Sequence, residues 1–303
     1  MSKKRRLSAE QKEALIGYLF VLPAVIYMIG LIGYPIIYNF VLSFQEVDVM
    51  TIKSSVRAFV GLKNYQDILK EGLIAITIKN TLFYTIWCLI IQFTIGFALA
   101  LFFNKKFRLS EPIRGLMVIS WMMPMTVTAL LFKFMLSPSN GILNDFLVAL
   151  RIVNEPVGWL INAETAMWGA IIANSWVGIP FNMILLTTGL SNIPYDIYES
   201  ASIDGADSIK RFWYITLPLL RPAILSVLIL GFIYTFKVFD LIFVMTAGGP
   251  VNATEVLSTY SYQLSFKHYN FSQGAAVANI LFICLFAVSL FYLKLIKGEE
   301  VMQ

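Results

Sequence analysis

Ser191-Asn-Ile-Pro-Tyr-Asp-Ile-Tyr-Glu199-Ser200-Ala201-Ser-Ile-Asp204-Gly205-Ala-Asp207-Ser-Ile-Lys-Arg-Phe-Trp-Tyr-Ile215-Thr-Leu217-Pro218 is the stretch on which the reading of this chain turns. Its charges, among them Glu199, Asp204, Asp207, Lys210 and Arg211, forbid burial in hydrocarbon. It is nevertheless too apolar for a loop that is only solvated. Pro194 suits the first turn of a helix. Ile197, Tyr198 and Ala201 then share one face at helical spacing. Gly205 can adopt the angles of a tight turn, Asp207 can cap a second helix, and Pro218 marks the approach to the next apolar run. The segment reads as helix–turn–helix with an apolar surface. On spacing alone that surface could dock a partner or lie on lipid headgroups.

The flanks decide the class. Of 303 residues, 58% are hydrophobic and 14% charged, with mean hydropathy +0.74. A soluble domain carries more charge to cover its surface, and a disordered chain is poor in apolar and aromatic residues. Both classes are excluded. A membrane helix needs about 20 mostly apolar residues. Six stretches qualify, at 16–44, 80–103, 113–136, 166–190, 223–245 and 275–296. The first is long and contains Pro23 and Pro35, so a kink or an extension past the bilayer is expected. The predicted fold is an all-α polytopic membrane protein with six transmembrane helices. It comprises an N-terminal segment 1–15, a membrane domain 16–296 and a tail 297–303.

Lys3, Lys4, Arg5 and Arg6 precede the first apolar run, which is longer than a signal-peptide core and reads as a retained span. With that basic end in the cytoplasm, six spans also put the C-terminus there. The inside segments then hold fourteen basic residues, Lys12, Lys105, Lys106, Arg108, Arg114, Lys210, Arg211, Arg221, Lys294 and Lys297 among them, against seven outside. This is the positive-inside asymmetry. It accounts for a pI near 9.1 without nucleic acid, since the basic residues form no continuous patch. Between spans, 142–152 could form a short amphipathic helix, and Gly248-Gly249-Pro250 should end the fifth span sharply. Cys88 and Cys284 lie in separate apolar runs and imply no disulfide. His268 is the single histidine and lies alone in an outside loop, so no metal site is expected.

The segment 191–218 also resembles the signature of ABC-importer permeases, which is Glu-Ala-Ala, three residues, Gly, nine residues, then Ile-x-Leu-Pro. Here the positions are Glu199, Ser200, Ala201, Gly205, Ile215, Leu217 and Pro218, with the spacing kept and Ser200 in place of an alanine. Other stretches are similar to carbohydrate-type members. They are Leu22-Pro23, Tyr34-Pro35, Leu42-Ser43-Phe44, Val60-Gly61-Leu62-Lys63-Asn64-Tyr65, Thr235-Phe236-Lys237-Val238-Phe239-Asp240, Gly248-Gly249-Pro250 and Asn252-Ala253-Thr254-Glu255. The resemblance implies the type I ABC importer permease fold and a subunit that is not itself an enzyme. It implies a second permease, giving a heterodimer, two ATPase subunits, an extracytoplasmic solute-binding protein and a sugar or sugar-like substrate, in a bacterial-type cytoplasmic membrane. The signature would dock on the ATPase, with Glu199 making a charged contact to an Arg, Ala201 permitting close approach and Gly205 setting the turn. The chain has no Gly-x4-Gly-Lys-Ser/Thr pattern, so ATP-Mg belongs on the partner ATPase and no cofactor is expected on this chain. The maltose-importer member has extra N-terminal spans and a large external domain that this chain lacks.

A sugar path needs polar groups and an aromatic face in an otherwise apolar wall. Asn174, Gly178 and Phe181 fall near one helix face, and Gly178 and Pro180 should loosen the fourth span. By resemblance, Asn174, Val177, Gly178, Phe181, Tyr234, Thr235 and Met125 are candidate contacts. Ordinary helix packing is the competing account of each. Lys237 and Asp240, three residues apart, could pair on one helix face, with an architectural role preferred over a functional one. A permease for a non-sugar solute remains open. So does a stand-alone secondary transporter, which would need an ion site and internal repeats. An intramembrane enzyme would need a catalytic cluster, and none is apparent.

Overall fold

A computed structural model describes residues 9–54, 56–105 and 107–300. The basic residues Lys3, Lys4, Arg5, Arg6 and Lys106 and the tail 301–303 lie outside the described residues. Among those described, no strand forms beyond two isolated bridges, Gln45–Phe59 and Asp48–Asn270. Five helices are long and apolar enough to cross a membrane: Glu13–Ser43, Leu73–Asn104, Ala163–Ser191, Ser208–Phe236 and Phe271–Leu295. A bent pair, Ser110–Met122 and Met125–Met135, passes the same test jointly and brings the candidate spans to six when it is counted as one.

The apolar run 113–136, read as one span, is bent into these two helices. The two halves meet at 97°. Pro124 has no N–H to continue the helix, and its ring holds Met123 extended at φ −69°, ψ 138°. The fifth span is also displaced from 223–245. It starts at Ser208, ends at Phe236, and a separate short helix, Asp240–Met245, follows. In the fourth span Gly178 and Pro180 open no break, for the helix Ala163–Ser191 is continuous. The Ser120 hydroxyl of the third span donates to the Met117 carbonyl at 2.8 Å and reaches the Trp176 carbonyl that Pro180 cannot pair only at 3.5 Å. Pro35 and Pro218 each follow a single π turn, closed by Tyr34 N–H to the Ile29 carbonyl and by Leu217 N–H to the Phe212 carbonyl. Widening the turn before the proline absorbs its missing bond.

The second and fourth spans form the most extensive interface. One apolar core, around Tyr84, Phe132, Met167, Ile171, Leu241 and Ile242, joins them to Met125–Met135 and Asp240–Met245. Another, around Ala100, Leu186, Leu190 and Leu220, joins them to the fifth span. Cys88 is a buried residue of the first core, and both cysteines are free. The first span stands apart, with no buried residue in its most apolar window. Only its end near Ser43 is anchored. Asn39 donates to Asn279 Oδ1 at 2.6 Å, and Asn279 donates to Ser43 Oγ at 3.0 Å and Tyr65 Oη at 3.1 Å.

The connector after Asp240–Met245 is built around Glu255. Left-handed backbone at Ala247, Gly248, Val251 and Asn252 folds it tightly. A side chain on Gly248 would run into the Glu255 carboxylate. Asn80 Nδ2 donates to the Asn252 and Glu255 carbonyls, each at 3.0 Å, and ties the connector to the second span. Glu255 is 1% exposed, accepts from Gln263 Nε2 and leaves Oε1 without a partner. Burial raises its pKa, against the opposing effect of Thr259, Gln263 and Lys267. The folded state therefore holds this proton more tightly than the unfolded chain. Its stabilising contribution is present at low pH and declines as pH rises past the unfolded value of about 4.3. Thermal unfolding of the purified protein should accordingly show Glu255→Gln matching wild type near pH 4 and exceeding it at higher pH, the gain levelling off once pH passes the raised folded value. A pH-independent difference would contradict this.

Candidate translocation chamber and coupling segment

The breaks in the third and fifth spans open onto one cavity of about 470 Å³. Its wall contains every path residue expected from the sequence: Met125, Asn174, Val177, Gly178, Phe181, Tyr234 and Thr235. Aromatic rings form a row across it. Trp121 stacks on Phe181 at 5.7 Å between centroids, and Phe181 meets Tyr234 edge-on at 6.1 Å. Such a wall, with a few amides and hydroxyls, matches the make-up of a site for a polar organic solute.

Lys237 and Asp240 also line the cavity, but they do not form the expected ion pair. The helix they were to share stops between them. Lys237 caps the C-terminus of Leu217–Phe236, and Asp240 sits in the first turn of the next helix. Each charge complements the dipole of its own helix end. The Lys237 ammonium lies 5.5 Å from the centroid of the Tyr234 ring. Lys133 is exposed, and its Nζ donates to the Val244 carbonyl at 3.3 Å, near the C-terminal end of the short helix.

Sequence reasoning missed Gln92. It is an amide in the middle of the apolar second span, and that oddity was the available signal. Gln92 is 3% exposed and lines the cavity. It fits a notch at Gly178, where an added Cβ would stand 2.1 Å from its Cδ. One turn along, the arrangement is reciprocal: Asn182 of the fourth span fills a notch at Gly96 of the second, where a Cβ would stand 2.6 Å from the Asn182 Cβ. Gly178 thus serves close packing rather than loosening its helix.

At one end of the bundle, the fourth and fifth spans are joined by the segment quoted first. Helix Tyr195–Ile203 carries Glu199, Ser200 and Ala201, with Pro194 as N-cap. Gly205, at φ +81°, closes it. Ala206 N–H donates to the Ala201 carbonyl at 2.9 Å and Gly205 N–H to the Ser202 carbonyl at 3.1 Å, the paired bonds of a left-handed helix stop. Asp207 then caps the next helix, accepting from Lys210 N–H at 2.7 Å. That helix is the start of the fifth span itself, so Ile215, Leu217 and Pro218 lie inside a membrane-directed helix and not in a loop. Arg211 to Ser202 at 2.7 Å and Tyr198 to Thr216 at 2.9 Å hold the two arms together. Glu199 is exposed and has no partner among the described residues, and Tyr195, Ile203, Ile209 and Tyr214 are all at least 70% exposed.

The chain is thus a multi-pass helical bundle with a solute-sized chamber and, at one end, a segment that exposes Tyr195, Ile203, Ile209 and Tyr214. Residues 92–297 match the family described as binding-protein-dependent transport system inner membrane component, and the chain belongs to that family. It is 34% identical to the trehalose/maltose transport system permease protein MalF of Thermococcus litoralis, over 93% of this chain and 94% of that one. It is 32% identical to the arabinooligosaccharides transport system permease protein AraP of Bacillus subtilis, over 93% and 90% of the two chains. The fold matches a chain of a bacterial ABC transporter that imports the acidic polysaccharide alginate, with TM-score 0.78 at 24% identity over 94% of this chain and 96% of that one.

The Gln92–Gly178 fit yields a stability test. Gly178→Ala overfills the notch and should destabilise by about 1–3 kcal/mol. Combining it with Gln92→Ala should recover most of the loss in thermal unfolding of the purified protein. A double variant no more stable than Gly178→Ala alone would contradict the fit.

Proposed function

We propose that this chain is the permease subunit of an ATP-driven, binding-protein-dependent sugar importer and provides half of its translocation path. The observation that carries the proposal is the single cavity containing all seven expected contact residues behind an aromatic row. Di- or oligosaccharides are the favoured substrate class, in line with the names of the relatives. The termini face the cytoplasm, which puts the segment 191–218 on the side where ATP is available. There Glu199 meets an Arg of the ATPase, and the exposed Tyr195, Ile203 and Tyr214 fill its cleft. ATP-Mg is bound by two such ATPase subunits, and this chain holds no cofactor.

A second permease is the natural cover for the first span, which has no buried residue in its most apolar window. The solute-binding protein delivers sugar to the opposite end of the bundle. ATP binding draws the ATPases together, the coupling segment moves with them, and the chamber alternates between the two sides of the membrane.

Reversing one charge tests the docking assignment. In the assembled importer, Glu199→Lys should lower ATPase activity stimulated by loaded binding protein at least about tenfold, the scale of a broken interfacial charge pair. Helix content and membrane insertion should be unchanged. Wild-type stimulation in the variant would contradict the assignment.

A further inference from the structure

We propose that Gln92 is a specificity-determining residue of the chamber, reading one sugar hydroxyl through its side-chain oxygen. An amide placed mid-span is costly in a bilayer unless it finds partners. Gln92 has one, a 3.3 Å bond from Nε2 to the Asn174 carbonyl. That bond fixes which end of the amide is which, because a carbonyl can only accept. Oε1 therefore remains, with no hydrogen-bond partner among the described residues, on a side chain that lines the cavity. The Gly178 notch confines the amide, so it cannot turn away. An acceptor held rigidly at a chamber wall is suited to a hydroxyl donor and rejects an analogue that lacks it. Packing alone does not require an amide here, because a methionine of nearly the same length would fill the notch.

The proposal rests on the reading of the chamber as a sugar path, and the test separates the two. Importer assembled with its binding protein is reconstituted in proteoliposomes. Uptake of maltose, trehalose, arabino-oligosaccharides and the monodeoxy analogues of whichever is taken up fastest is measured at saturating loaded binding protein. The binding protein is the same in every assay, so its own selectivity cancels in ratios between variants. Gln92→Met should slow uptake of the parent sugar roughly three- to tenfold, the loss expected for one hydrogen bond. For at least one monodeoxy analogue, Gln92→Met and wild type should transport equally, because the hydroxyl partner is already gone.

Equal effects of Gln92→Met on the parent and every analogue, or no effect on any, would overturn the proposal and leave Gln92 a packing residue. In those cases, slowed uptake by Tyr234→Ala keeps the sugar-path reading intact. Wild-type uptake by both Tyr234→Ala and Gln92→Met overturns both, as does the failure of wild type to take up any of the sugars.

Discussion

Inside a bilayer a released backbone group has no water to pair with, and this constraint shapes everything else in the structure. Helices must run unbroken wherever they meet lipid, and a break is tolerable only where the chain lines a cavity or packs on protein. Two breaks occur in the membrane-spanning part, at Met123–Pro124 and at Lys237–Phe239, and both open onto the same chamber. The chamber is thus the place where the fold tolerates irregular backbone. The charges Lys237 and Asp240 belong to that arrangement, each set at the helix end whose dipole it complements.

The same constraint links the chamber to the coupling segment. The fourth span brings Asn174, Gly178 and Phe181 to the wall and ends at Ser191, where the segment begins. The fifth begins at Ser208, beside the Gly205 turn, and brings Tyr234 and Thr235 to the wall at its far end. Its helix is continuous over that distance, about 40 Å at 1.5 Å per residue. Helix Tyr195–Ile203 is therefore joined directly to the two helices that bring these residues to the chamber wall. The bonds Arg211–Ser202 and Tyr198–Thr216 tie that helix to the start of the fifth span.

Much of this was legible in the sequence, for identifiable reasons. Apolar runs of spanning length marked where the candidate spans lie, and the Gly205 turn and Asp207 cap were local signals that tertiary packing did not override. The remainder depended on context. Pro124 lay in plain view, but a proline in a membrane helix can be absorbed, as Pro180 is, or can break it. The fifth span was placed too late because Lys210 and Arg211 look like loop residues, whereas the helix runs on past the apolar part. Lys237 and Asp240 looked like a helical pair only because the break between them carries no proline or glycine. Gln92 was overlooked because its role depends on a glycine more than eighty residues away.

The central claim is that force applied at the segment 191–207 reaches the chamber through the unbroken fifth span. Thiol labelling of a Tyr234→Cys variant of the assembled importer, carrying also Cys284→Ala, reads this directly, since Cys88 is buried. Addition of ATP should change the labelling rate at position 234. An identical rate with and without ATP, while the ATPase turns over, would contradict it.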